Sequence, residues 1–133
     1  MHVTCVCFVV PPGQPEIVGY QNGSVVRVSD KLVSLNLTCS SRSGKPAATL
    51  TWLRNGVELS LDDVKVTYST MESTDVGGAG GKLQDAESVL TFAPSDDDNE
   101  AYYTCVAQNE AIQRRYSVTV QLGVLREFNN NCP

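Results

Sequence analysis

The chain has 133 residues, 41% of them apolar, which suffices for a single hydrophobic core and therefore one domain with tails. Its net charge of −5 argues against nucleic acid, which needs clustered Lys and Arg, and against an anionic membrane surface. No stretch approaches the ~20 apolar residues of a membrane span. The apolar first ten residues lack a basic lead and a small-residue cleavage site, so they make a poor secretion leader.

Short runs alternate with period two, and no helical periodicity competes with them. Residues 1–12 read as a tail or linker: the last strand of a preceding domain, then the prolines Pro11 and Pro12. Ile17 to Tyr20 reads as a first edge strand, with Gln21-Asn22-Gly23 as its turn. Val33 to Cys39 alternates and should turn Val33, Leu35, Leu37 and Cys39 inward. Ala48 to Trp52 does the same with Leu50 and Trp52, and Asn55-Gly56 then predicts a tight hairpin into Val57 to Leu59. Val64 to Thr70 is the next strand. Residues 69–82 follow, with four glycines at 77, 78, 80 and 81, and read as a solvated excursion. A phosphate loop there would need Gly at position 76 and Ser or Thr at 83, where the chain has Val76 and Leu83. Glu87 to Ala93 should bury Leu90 and Phe92, Ala101 to Asn109 should bury Tyr103 and Cys105, and Tyr116 to Leu122 closes the series. The domain is expected to span 13–124, with 125–133 as a C-terminal tail.

Cys39 and Cys105 carry Trp52 between them, and Tyr103 stands two residues before the second cysteine. An inter-sheet disulfide packed on a buried Trp, with a tyrosine leading into the second Cys, is the signature of an immunoglobulin-like β-sandwich. The fold class predicted is therefore all-β, a two-sheet antiparallel sandwich with Trp52, Leu90 and Tyr103 in its core. The sequons at Asn22 and Asn36 agree with an oxidising, secretory context and are candidate glycosylation sites. Five cysteines leave Cys5, Cys7 and Cys132 over, and these are expected to be unpaired or paired outside the domain. The single histidine, His2, lies in a tail and cannot serve a packed triad. Asp96-Asp97-Asp98 reads as a hydrated turn, since no second acidic cluster is aimed at it to complete a calcium cage. No catalytic residue, metal ligand or cofactor site is predicted.

Three stretches point to a family. They are Pro11 to Ile17, then Gly44 to Trp52 followed by Arg54-Asn55-Gly56, and Tyr103 to Ile112. Together they resemble the second immunoglobulin domain of nephrin and Kirrel (Neph-type) adhesion proteins, of the constant-like C2 or I type, over residues 11–122. Asn99 stands where the superfamily pattern has Asp. The resemblance implies an extracellular module of a cell-surface receptor, attached to the membrane through a parent-chain segment outside these residues. Such a module binds other immunoglobulin-superfamily ectodomains, homophilically or heterophilically, or spaces an outer binding domain. An immune-type receptor or costimulatory ligand domain, and a structural spacer in a matrix or muscle array, are the alternatives.

One surface is singled out. Asn36 lies between inward residues, so a glycan there would cover the outer face of its sheet. The other sheet, carrying Trp52, Cys105 and Val118, turns Thr51, Leu53, Thr104, Val106, Gln108, Ser117 and Thr119 outward and is expected to be sequon-free. That uncharged face is the candidate interface, with Leu53 and Val106 as neighbours at its centre.

Overall fold

The computed structural model describes residues 9–62, 64–74, 82–112 and 114–126, and among these are nine strands, most of them with apolar side chains alternating into the core. In chain order they are β1 (Glu16–Ile17), β2 (Val25–Ser29), β3 (Leu35–Gly44), β4 (Thr49–Arg54) and β5 (Val57–Glu58). Then come β6 (Lys65–Glu72), β7 (Gln84–Phe92), a 3-10 turn at Asp96–Asp98, β8 (Tyr102–Gln108) and β9 (Tyr116–Leu125). One sheet has the order β1-β3-β7-β6 and the other β2-β9-β8-β4-β5. The predicted two-sheet sandwich is the architecture found. Cys5, Cys7, Cys132, His2 and the four glycines at 77, 78, 80 and 81 lie outside the described residues.

The core forms where the two alternating patterns meet. Leu37, Cys39 and Leu90 from the first sheet face Trp52, Tyr103, Cys105, Val120 and Leu122 from the second. Cys39 and Cys105 are bonded, with Cα atoms 6.4 Å apart, and so tie β3 to β8. Trp52 is buried against them, and its indole Nε1–H donates to Ser88 Oγ at 3.0 Å across the sandwich. That bond satisfies both polar groups of an otherwise apolar layer. Phe92 stacks on Tyr103 with ring centroids 4.9 Å apart. The Asn55-Gly56 turn has φ of 50° and 82°, the left-handed pair that a two-residue hairpin needs, and it returns the chain to β5 as predicted.

Three expectations are corrected at the element scale. The edge strand read over 17–20 stops at Ile17, because Gly19 adopts φ 88° and Tyr20 N–H bonds back to Ile17 O at 3.0 Å. The chain then changes sheets and forms β2, which was not anticipated and which runs parallel to β9. Both sheets are otherwise antiparallel. Val33 does not turn inward: it is 85% exposed, because β3 begins only at Leu35. The segment read as a proline linker is laid down on the sandwich. Val10 and Lys45 exchange N–H···O bonds of 2.8 and 3.0 Å, Pro12 is buried, and Gly13 N–H donates to Arg42 O. Asn109, 7% exposed, donates through Nδ2 to both Val10 O and Pro46 O and accepts from Ala111 N–H.

Candidate recognition face

The outer face of the five-stranded sheet is built by register. Thr51 lies opposite Val106, which lies opposite Ser117; Leu53 lies opposite Thr104, which lies opposite Thr119. Leu53 and Val106 are thus diagonal neighbours, about 7–8 Å apart by strand geometry. Thr104 and Thr119 share a hydroxyl–hydroxyl bond of 2.8 Å, and Thr49 Oγ1 donates to Gln108 O at 3.0 Å. Thr51, Leu53 and Thr104 are half-buried, and Gln108 is exposed. Charge enters the face only towards its two edges, at Glu58 beside Leu53 and at Arg27 beside Gly123.

Val106 is only 7% exposed, so it cannot be the centre of a contact surface as the alternation suggested. It points outward from β8, the middle strand of five, and is flanked by a strand on each side. The apolar area lies elsewhere on the same face. Tyr102, 50% exposed, stands opposite Gln121, which stands opposite Val25, 39% exposed. Tyr102 was legible from parity alone, since Tyr103 is inward. Val25 was not, because β2 was not seen.

The expectation that this sheet is free of sequons is also corrected. Asn22 Oδ1 accepts Thr119 N–H at 2.8 Å, and Gly23 N–H donates to Thr119 O at 2.7 Å. Asn22 therefore continues the β2 edge of the five-stranded sheet and borders its face. Asn36 lies, as read, on the exposed side of β3 in the other sheet, where its Oδ1 accepts from Thr91 Oγ1 at 2.8 Å.

At one end of the sandwich a polar cluster closes the core. Tyr103 OH donates to Asp98 Oδ1 at 2.9 Å, and Arg54 Nε lies 3.2 Å from the same oxygen. Arg54 Nη2 also donates to Asp97 O at 2.8 Å. Burial, followed by the bond to Asp98, pushes the Tyr103 phenol up to about 12. The bond to Tyr103 leads the causes that hold the Arg54 guanidinium above its ordinary value. Asn99, which departs from the superfamily Asp, accepts Val124 N–H at 2.9 Å, and Asp98 beside it takes the arginine. The acidic run is thus engaged by Arg54 and by Arg126, which bonds Asp96. Among the described residues no group of three or more His, Cys, Asp or Glu is placed to hold a metal ion.

Residues 20–116 match the family of CD80-like C2-set immunoglobulin domains. The chain belongs to that family. Human Kin of IRRE-like protein 3 is 36% identical over 117 residues, covering 85% of this chain and 13% of the relative. Human nephrin is 33% identical over 116 residues, covering 84% of this C2-set domain and 8% of nephrin. Both are immunoglobulin-superfamily adhesion proteins, and the domain spans only about a tenth of their length. The solved structure of Rst D1-D2 superimposes with a TM-score of 0.67 at 28% identity, over 88% of this domain and 51% of that chain.

Proposed function

We propose that this C2-set domain is an extracellular, non-catalytic module of a cell-surface adhesion receptor, presenting the Leu53–Tyr102 side of its five-stranded sheet to another immunoglobulin-type ectodomain. The observation that carries the reading is the face itself: an uncharged strip through Thr51, Leu53, Thr104 and Gln108, with exposed Tyr102 at one end. A flat polar strip with an aromatic at its margin suits a modest, reversible contact. Likeness to adhesion proteins over most of the chain supports the class of partner. Cell-aggregation and ligand-capture assays on the complete ectodomain test it, with Leu53→Asp and Tyr102→Lys variants checked for retained folding. Each substitution should weaken binding by about 1–3 kcal/mol. Unchanged binding in both variants assigns the face to solvent.

A spacer role is the second reading, and the burial of Val106 favours it by reducing the apolar area on offer. Deleting the domain from the ectodomain separates the two. A spacer can be replaced by an unrelated sandwich of equal length without loss of capture. A binding module cannot.

A further inference from the structure

The sequence Tyr20-Gln21-Asn22-Gly23-Ser24 places an aromatic residue two positions before a glycan acceptor, in a tight turn. Ser24 N–H bonds to Gln21 O at 3.0 Å, and Ser24 Oγ donates to the same carbonyl at 2.7 Å. Gly23, with φ 86°, supplies the left-handed residue such a turn needs at its third position. Tyr20, Gln21 and Asn22 line one open groove of ≈ 650 Å³ together with Val18 and Glu16. Tyr20 is 39% exposed. Asn22 Oδ1 is held by Thr119 N–H, which fixes the carboxamide plane and leaves Nδ2 as the atom a sugar would take.

We infer that Asn22 carries an N-linked glycan whose first sugar packs against the Tyr20 ring in this groove. The donor class is an oligosaccharyl pyrophosphate lipid. Asn22 Nδ2 bonds to the anomeric carbon and loses one proton, the anomeric C–O bond breaks, and the lipid pyrophosphate leaves with the electron pair. Oδ1 keeps its acceptor lone pairs after this reaction, so the Thr119 bond can still hold the carboxamide that carries the sugar. The apolar C–H side of a pyranose then meets the negative face of the phenol ring. Asn36 offers no comparable platform: its partner on β7 is Thr91, and Lys65 of β6 lies opposite Thr91. The Asn22 glycan would stand at the β2 edge, bordering the Leu53–Tyr102 side at the end of the row Thr119, Thr104 and Leu53. This inference rests on the secretory setting of the adhesion reading.

The test is expression of the full chain behind a secretion leader in eukaryotic cells, as wild type, Asn22→Gln and Tyr20→Ala. Peptide mapping after N-glycosidase treatment reads occupancy at Asn22, with Asn36 as an internal comparison. Occupied Asn22 is expected in both the wild type and Tyr20→Ala. Removing the glycan should lower the wild-type Tm by about 3–5 °C and leave the Tm of Tyr20→Ala almost unchanged. A secreted wild-type chain bare at Asn22 overturns the inference without touching the adhesion reading. So does an equal Tm loss with and without the ring. A bare chain retained in the cell overturns both.

Discussion

Tyr103 shows how one side chain serves both the core and the rim. Its ring stacks on Phe92, while its hydroxyl reaches Asp98 beside Arg54. The phenol is pushed up to about 12 from an ordinary value near 10, so the folded state favours the neutral form. Its contribution is fully present below pH ~10 and is lost as pH rises through about 12. At 1.36 kcal/mol per unit the full loss is about 2–3 kcal/mol. Urea titrations between pH 9 and about 12 should therefore show a steeper decline for wild type than for Tyr103→Phe. Tyr68 is also raised by burial, so some slope should persist in the variant. Equal slopes would mean that the hydroxyl is not held neutral by the fold. Ser88 gives a second test at this scale. Its substitution by Ala strands the Trp52 indole N–H inside the sandwich, at an expected cost of about 1–3 kcal/mol by denaturant unfolding. A loss well under 1 kcal/mol, on that scale, would mean that the indole finds another partner.

At the scale of elements, the strands easiest to read were those with three apolar residues in succession at inward positions. Leu35, Leu37 and Cys39 mark β3, and Val118, Val120 and Leu122 mark β9, without help from any neighbour. β2 falls short of that, since only Val26 and Val28 of its five residues turn towards the core. Val25 faces out, Val28 is only half-buried, and the pairing that stabilises the strand is with residues almost a hundred positions away. Non-local pairing of this kind leaves no trace in a local pattern. The candidate face was legible by the same parity argument, but burial was not: Val106 reads as outward and is nonetheless covered. Asn109 was visible only as the end of a strand. The structure makes it a clamp between Val10, Pro46 and Ala111. Asn109→Ala removes two donors and an acceptor from a buried site and should cost about 2–3 kcal/mol. It should also raise amide exchange at Val10 and Lys45 before it affects β8 or β9. Uniform loss of protection across the sandwich would contradict the local role.

The described residues form two thin sheets joined at their centre by the Cys39–Cys105 bond. Each sheet presents one apolar face, and neither can bury it alone. The Cys39–Cys105 bond closes a loop of 66 residues that includes β4, β5, β6 and β7, so it constrains strands of both sheets in the unfolded chain. In the chain-entropy account a loop of that length stabilises by about 4 kcal/mol, comparable with the lower end of the net stability of a domain this size. Trp52 and Leu90 should stay packed when the sulfurs are not joined, because their contacts and the Ser88 bond belong to the strands. The double substitution Cys39→Val with Cys105→Ala fills most of the sulfur volume and isolates the constraint. It should unfold at much lower urea, with a loss of about 4 kcal/mol and a larger m-value, since the unlinked chain exposes more surface when denatured. Near-ultraviolet circular dichroism of the folded variant should keep the Trp52 signal. A loss below about 1 kcal/mol with unchanged m would assign the stability to packing across the sheets and make the bond dispensable.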